Sequence, residues 1–559
     1  MKRKIKRAVA TGMSLAMGTV IMTSDVMVSP VMASQINGEK PYAVELYAAS
    51  NASYNGLYYS TSGSYATITG YDGQSTDIVI PDKIGSYTVN AIQYGAFKDN
   101  NKITSVKIPS TVTQIGNSYG SGAFENCANL KSVSIAAGAE TAYIGNATFK
   151  DCTSLEEITV PGNYTTIYSD AFRGCRSLKK FVYNDNGISR KIQNRAFYEC
   201  TSLVSLSLPT SLNSIGDEAF SGCSSLTAVD IPEGVKLIEY GVFNNCKLLK
   251  KVVIPSTIQR IGNSYNTGAF QNCTSLSTVT IKEGTQAATI GSNTFSGCSA
   301  ITSIVIPGNY SNVMDSAFKD CKGLKTLTYS PSINGITHKI GSYVFENCQS
   351  LAQVTLGTGL ESIDTKAFYN DSMIAEVNIP VGVKSIGQEA FSNCTRLSKL
   401  TLPEGLTVIK SGAFASCKSL KSVVIPSTVT RVTDSYVAGA FENCTGLTSV
   451  TFKEGIAEAV IGQDSFNGCQ SLLSVIIPGN YGKIGDSAFR NCTSLKSFKY
   501  AQSVNNIEHT VGSSAFRDCK SLTSITLEKG LKTIDSYAFC NTNVDKIDIP
   551  EGVTQIVAA

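Results

Sequence analysis

The chain has 559 residues, too many for one compact hydrophobic core, so it contains either several domains or an array of repeats. Charged residues make up 16% of the chain and hydrophobic residues 42%, a balance that excludes a disordered, solvated polypeptide. The net charge of +4 comes from residues 1–33, and the remainder has 42 basic and 42 acidic side chains. This neutrality argues against nucleic acid or anionic lipid as the partner, because both select basic surfaces.

The first 33 residues have the pattern of a secretory signal peptide. A basic segment, residues 1–7, precedes a mostly apolar one, residues 8–22, and Val31 and Ala33 stand at the −3 and −1 positions of a cleavage site. An uncleaved membrane anchor is the alternative, but the apolar run is short and interrupted for a membrane span. We therefore expect a secreted, extracellular protein, with attachment to a cell surface left open and no membrane insertion of the mature chain.

Residues 34–76 lack the repeat that fills the rest of the chain. Asn55-Gly56 and Asp72-Gly73 are turn dipeptides, and Tyr65–Thr69 alternates in the manner of a strand, which together predict a β-hairpin. We interpret this segment as an N-terminal cap that shields the first coil of a repeat array.

Residues 77–559 repeat one pattern, C-x-x-L-x-x-I-x-I-P-x-x-V-x-x-I-G-x-x-A-F-x-x, with spacings of 23, 25 or 27 residues. The Phe of this pattern recurs in 19 repeats, at positions 97, 124, 149, 172, 197, 220, 243, 270, 295, 318, 345, 368, 391, 414, 441, 466, 489, 516 and 539. The chain stops part-way through a coil at residues 556–559. This predicts either a fragment of a longer protein or an end that something covers.

Each repeat is predicted to form one coil of a solenoid. The β-branched Leu-x-x-Ile-x-Ile stretch predicts a strand that ends at Pro, and Ile-Gly-x-x-Ala-Phe returns the chain across the other face. Strands of successive coils then pair in parallel, and each coil is stable only when it is stacked on its neighbours. In one representative coil we expect these side chains to be buried: Leu226, Val229, Ile231, Val235, Ile238 and Phe243.

The pattern I-P-x-x-V-x-x-I-G-x-x-A-F-x-x-C-x-x-L resembles the BspA-type leucine-rich repeats of bacterial surface proteins, over residues 77–559. The resemblance implies a repeat solenoid, mostly β and loop, with a parallel β-sheet on one face and a small β-hairpin cap. It also implies a surface or secreted role, often adhesion to host or matrix proteins. The shared motif is the core, so no binding residue is carried over from the family.

Sixteen of the 17 Cys stand three residues after a repeat Phe, from Cys127 to Cys519, and Cys540 is displaced. A disulfide framework is one reading for a secreted protein. A ladder of reduced, buried thiols is the other, and we favour it because equivalent positions have parallel Cβ directions. No metal site is predicted, since spacings of 23 residues or more offer no paired ligands. The two histidines, His338 and His509, are predicted to be exposed loop residues.

A longer period is superimposed on the repeat, because a block starting at Val106 recurs at Val252 and Val423. Each copy has an enlarged turn with a Tyr, then Pro-Gly-Asn-Tyr, then a Tyr that closes a strand. Insertions in repeat proteins lie on one side, often the binding side, and Tyr is favoured in interfaces. We therefore expect three patches along one rim for a multivalent ligand, with duplication of blocks without a role as the alternative. The candidate rim consists of Tyr119, Tyr265, Tyr436, Tyr164, Tyr310, Tyr481, Tyr183, Tyr329 and Tyr500.

The sequence favours a binding protein over an enzyme. It has no phosphate-binding loop, nucleophile motif or dinucleotide fingerprint, so neither catalysis nor a cofactor is predicted. The favoured function is a secreted or surface-attached adhesin for a protein or glycan on a host or neighbouring cell surface. The alternative is a structural spacer of the surface layer without a specific ligand. The identity of the ligand and the oligomeric state are left open.

Overall fold

A computed structural model describes residues 52–264, 267–434 and 437–557. The predicted signal peptide lies outside these residues. The chain begins with an antiparallel meander of β1 (Ala52–Tyr54), β2 (Leu57–Ser62) and β3 (Tyr65–Tyr71), and β3 then pairs in parallel with β6 (Tyr87–Ile92). The turn between β1 and β2 contains Asn55 and Gly56, both at positive φ, as the sequence predicts. The meander therefore extends the sheet beyond the first coil.

Two sets of strands alternate along the repeats, and we call them the first and second ladders. The first ladder contains the predicted Leu-x-x-Ile-x-Ile strands. Its members are β4 (Asp77–Val79), β7 (Ser105–Ile108), β9 (Ser132–Ile135), β11 (Glu157–Val160), β13 (Lys180–Tyr183), β15 (Ser205–Ser207), β17 (Ala228–Asp230), β19 (Lys251–Ile254), β21 (Thr278–Ile281), β23 (Ser303–Ile306), β25 (Thr326–Tyr329), β27 (Gln353–Leu356), β29 (Glu376–Asn378), β31 (Lys399–Thr401), β33 (Ser422–Ile425), β35 (Ser449–Phe452), β37 (Ser474–Ile477), β39 (Ser497–Tyr500) and β41 (Ser524–Leu527). Parallel pairing joins them into six separate sheets.

The second ladder contains the Ile-Gly stretches and forms one continuous sheet that also includes the meander and the short hairpin strand β5 (Lys83–Ile84). Its members after β6 are β8 (Gln114–Ile115), β10 (Ala142–Ile144), β12 (Tyr164–Ile167), β14 (Arg190–Ile192), β16 (Leu212–Ile215), β18 (Leu237–Ile238), β20 (Arg260–Ile261), β22 (Ala288–Ile290), β24 (Tyr310–Val313), β26 (His338–Ile340), β28 (Leu360–Ile363), β30 (Ser385–Ile386), β32 (Val408–Ile409), β34 (Arg431–Val432), β36 (Ala459–Ile461), β38 (Tyr481–Ile484), β40 (His509–Val511), β42 (Leu531–Ile534) and β43 (Gln555–Ile556).

The predicted solenoid is confirmed, and the structure adds a second parallel sheet to the one that the sequence predicts. A third side closes each coil around the repeat Phe. There the backbone N–H of Phe97 donates to the carbonyl oxygen of Ala123 at 2.8 Å, and the same bond recurs from coil to coil. The second ladder and the Phe side therefore hydrogen-bond successive coils along the solenoid, and the first ladder does so within each of its six sheets. These bonds satisfy backbone groups that would have no partner in an isolated coil.

A column of aromatic rings runs through the core. Each repeat Phe stacks on the Phe of the next coil, from Phe97 to Phe539, with centroids 4.7–5.5 Å apart and planes within 16° of parallel. The six side chains named for the representative coil are all buried, as predicted: Leu226, Val229, Ile231, Val235, Ile238 and Phe243.

The cysteines form a second column beside the phenylalanines. All 17 are unbridged, and all are buried except Cys540, which is half-buried. The Cys127 thiol donates to the carbonyl oxygen of Phe97 in the preceding coil at 3.0 Å, and the 15 equivalent thiols do the same at up to 3.4 Å. Burial raises the pKa of Cys127 to about 12, so the thiol stays protonated. The predicted ladder of reduced thiols is confirmed.

Candidate ligand-binding surface

Six of the nine candidate tyrosines cannot touch a ligand, so the prediction of an exposed tyrosine rim is wrong for them. Each is at most 2% exposed: Tyr164, Tyr183, Tyr310, Tyr329, Tyr481 and Tyr500. They belong to the core because they occupy inward positions of strands: three open strands of the second ladder and three close strands of the first. The Tyr183 hydroxyl donates to the carbonyl oxygen of Tyr164 at 2.7 Å, which satisfies it away from solvent.

The prediction that both histidines lie exposed in loops is also wrong. His338 and His509 are fully buried, stacked on Tyr329 and Tyr500 with ring centroids 4.5 and 4.2 Å apart. The Nε2 of each histidine lies 3.0 Å from a backbone carbonyl oxygen, and neither Nδ1 has a hydrogen-bond partner. Burial lowers the pKa of both imidazoles, which keeps them neutral. They are structural residues of the second and third block copies.

In the first block copy the same register position holds Arg190. Its guanidinium is fully buried and forms an ion pair with Asp185 at 2.9 Å, 5.5 Å from the centre of the Tyr183 ring. It also donates to Asn186 and to the carbonyl oxygen of Gly162. In the first copy the loop is therefore stabilised by the paired guanidinium of Arg190. In the second and third copies the equivalent loops are stabilised by the neutral imidazoles of His338 and His509.

The enlarged turn of the first block copy does lie on the surface. Tyr119 at its tip is 74% exposed, and its backbone N–H donates to the side-chain oxygen of Asn117. The turn ends at Gly122, where a Cβ would lie 1.7 Å from the carbonyl oxygen of Ala147, so only glycine allows this close approach. The other two turn tyrosines, Tyr265 and Tyr436, lie outside the described residues.

Tyr119 belongs to a group of three tyrosines that we call the tyrosine patch, made of Tyr119, Tyr143 and Tyr168. The Tyr143 and Tyr168 rings meet edge to face, with centroids 5.4 Å apart and planes at 69°, and both are half-buried. Partial burial raises the pKa of Tyr143, and the neighbouring hydroxyls of Tyr168 and Tyr119 raise it further. The Tyr143 phenol therefore lies within electrostatic reach of both the Tyr168 and the Tyr119 phenols.

Backbone pairing fixes this patch to the second ladder. Tyr143 is the central residue of β10, between buried Ala142 and Ile144, so its side chain points outward. In the parallel register it lies beside Gln114 of β8 and Thr166 of β12. Neutral amide and hydroxyl groups thus flank the aromatic rings on neighbouring coils.

The second and third block copies lack the patch. The positions of Tyr143 and Tyr168 are taken by Thr289 and Met314 in the second copy, and by Val460 and Gly485 in the third. Sequence reasoning missed Tyr143 and Tyr168 because it searched for tyrosines that recur between copies. The opposite comparison finds them: at these outward positions the first block copy differs from the second and third copies.

One polar group interrupts the cysteine column. Asp371 stands three residues after Phe368, where 16 of the 19 repeats have Cys, and it is fully buried with neither carboxyl oxygen in a hydrogen bond of normal geometry. Burial raises the pKa of this carboxyl well above its usual range. Across the described ranges, no cluster of three or more His, Cys, Asp or Glu side chains is arranged to bind a metal ion. Nor do those ranges contain a helix with the length and hydrophobicity for crossing a membrane.

A family model for the BspA-type leucine-rich repeat region matches residues 71–190, 190–325, 329–439 and 435–558, with six copies. The chain belongs to the BspA-type leucine-rich repeat family. Proteins of this family and fold are typically interaction scaffolds rather than enzymes. No curated protein matches the chain significantly.

Several solved structures are similar to this chain. A leucine-rich repeat protein from Bacteroides ovatus is 25% identical, with a TM-score of 0.51 over 81% of this chain and 100% of that one. A leucine-rich cell-surface protein from Faecalibacterium prausnitzii is 26% identical, with a TM-score of 0.33 over 81% of this chain and 95% of that one. The pneumococcal vaccine antigen PcpA is 14% identical, with a TM-score of 0.28 over 91% of this chain and 99% of that one.

Proposed function

We propose that this protein is a secreted or cell-surface adhesin that binds protein or glycan ligands with the outward face of its solenoid. Membership of a family of bacterial surface repeats supports the location, together with the signal-peptide pattern of residues 1–33. The observation that carries the binding role is the tyrosine patch, because it presents one exposed and two half-buried aromatic rings where the fold does not need them.

The rest of the outward surface suits a binding scaffold. The outward strand positions of the first ladder are mostly polar, as in β7, where Ser105 and Lys107 alternate with buried Val106 and Ile108. The parallel ladders fix the spacing of these side chains over many coils, so little conformational entropy is lost when a ligand binds.

The test is binding of the purified, fluorescently labelled chain to host epithelial cells and to immobilised matrix proteins. An adhesin gives saturable binding that excess unlabelled chain competes away. A solenoid of similar length from the same family, produced and labelled in parallel, controls for adsorption of the fold itself. Absence of saturable binding to every surface would contradict the proposal and favour the structural spacer.

A further inference from the structure

We propose that the tyrosine patch is a binding site for a neutral glycan. This inference rests on the proposed binding function and specifies the ligand class and the place where it binds. The patch joins an exposed ring, Tyr119, to the edge-to-face pair of Tyr143 and Tyr168.

Packing does not require these rings. The second and third block copies form the same strands in the same register with Thr289 and Val460 in place of Tyr143. Both replacements are half-buried, as Tyr143 is, so the core beneath is equally covered. The aromatic surface left uncovered at this place is therefore available to a ligand.

The chemistry of the patch fits a sugar. The face of an aromatic ring is electron-rich, and the C–H groups on one side of a pyranose ring present a weakly positive, apolar surface to it. The hydroxyl groups around the sugar need donors and acceptors in the same plane. Three phenol hydroxyls, the Gln114 amide and the Thr166 hydroxyl supply both kinds of group around the rings.

The surrounding charges disfavour other ligand classes. In the outward row Gln114–Tyr143–Thr166–Lys191, the one cation lies two strands away from Tyr143, which is too few positive charges for a sulfated glycan or nucleic acid. A peptide that adds a strand needs a free sheet edge. The strand β10 has none, because it pairs with β8 on one side and with β12 on the other.

Asn146 prearranges the site by joining the turn to the next coil. Its side-chain amide donates to the carbonyl oxygen of Gly120 at 2.9 Å, and its backbone N–H donates to the carbonyl oxygen of Asn117. Tyr119 is thus held on a turn with two fixed points rather than on a free loop, which lowers the entropy cost of binding.

The experiment is calorimetric titration of the purified chain with neutral hexasaccharides of β-1,4-glucose, β-1,4-xylose, β-1,4-mannose and α-1,4-glucose. A heparin-derived hexasaccharide serves as the anionic probe. We expect one site for at least one neutral probe. Combined Tyr143→Ser and Tyr168→Ser substitution should weaken this binding by about tenfold or more, because exposed aromatic anchors dominate such contacts. Tyr537→Ser, which removes a half-exposed Tyr far along the chain, should leave it unchanged.

A gain-of-function variant tests the same geometry. Thr289→Tyr combined with Met314→Tyr places two rings beside the second enlarged turn, and the stoichiometry should rise from one site to two. The proposal is overturned if no neutral hexasaccharide binds, if the Ser variant binds as the parent does, or if heparin is preferred. Cell binding that survives loss of the patch would refute this site while leaving the adhesin function intact. Hexasaccharide binding without any cell or matrix binding would support this site and contradict the adhesin function.

Discussion

Replacing Asp371 with Cys, the residue at this position in 16 of the 19 repeats, is expected to stabilise the middle of the solenoid. In the folded chain the Asp371 carboxyl has a pKa well above its usual range because it is buried, whereas in the unfolded chain it titrates near about 3.9. Between these two values the unfolded state releases the proton and the folded state keeps it. The free energy of unfolding therefore falls as pH rises, by about 1.4 kcal/mol for each pH unit in that window.

The buried Asp371 carboxyl also lowers the free energy of unfolding in a way that does not depend on pH. Neither carboxyl oxygen accepts a hydrogen bond of normal geometry, although the backbone N–H of Cys348 lies near the carboxyl, and a buried polar group of this kind costs about 1–3 kcal/mol relative to a satisfied or apolar one. A Cys at this position can donate to the carbonyl oxygen of Phe345, as Cys348 and Cys394 do to the phenylalanines before them. We therefore expect Asp371→Cys to gain about 1–3 kcal/mol at pH 4 and more at pH 7.

Hydrogen exchange is the appropriate assay, because a solenoid opens locally and the effect is confined to neighbouring coils. Local opening free energies around Phe345, Phe368 and Phe391 are compared at pH 4 and pH 7 after correction for intrinsic exchange. Asp371→Asn is the control, because it keeps a buried polar group that cannot ionise. Its local opening free energy should lose the pH dependence but keep the cost of the buried polar group. Equal pH dependence in the parent and in Asp371→Cys would refute the reasoning.

Three further predictions concern the core. His338 and His509, the only histidines of the chain, should titrate below their usual pKa in an NMR experiment. Protection of their loops should decline as pH falls below about 6.5, and normal pKa values would contradict their burial. Phe243→Ala should cost about 3–5 kcal/mol, measured by exchange in the adjacent coils, and unchanged protection there would contradict the stacking. Alkylation in denaturant without reductant, read by mass, should label at least 16 of the 17 cysteines, and a large unlabelled fraction would indicate disulfides.

The fold can be predicted from the sequence because the residues that fill the core of each coil recur with the repeat period. Phe243 and its equivalents recur where the coil must be filled, and the Cys column follows from the same spacing. The buried tyrosines were within reach of the same logic. Tyr164 opens β12 with the burial pattern that Leu212 gives β16, and Tyr183 closes β13 where Ile108 closes β7.

The histidines were missed for a related reason. His338 pairs in register with Leu360, which places it at an inward position, but residue type alone suggested a loop. The buried imidazole stacks on the Tyr329 ring, and that contact cannot be predicted from either residue separately. The tyrosine patch is harder still, because it arises from three residues on neighbouring coils that share no motif.

The phenylalanine column also bears on how the length of this molecule can change. Within the column each ring stacks on the ring before it and the ring after it with nearly constant geometry, so the junctions between coils offer similar environments. If the segment between two equivalent phenylalanines is deleted or duplicated, the coils that become neighbours have matching stacking surfaces. Recombination between repeats can therefore lengthen or shorten the rod without disturbing the distant coils. The length of the molecule becomes a quantity that evolution can adjust one coil at a time, independently of the side chains that any one coil presents on its surface.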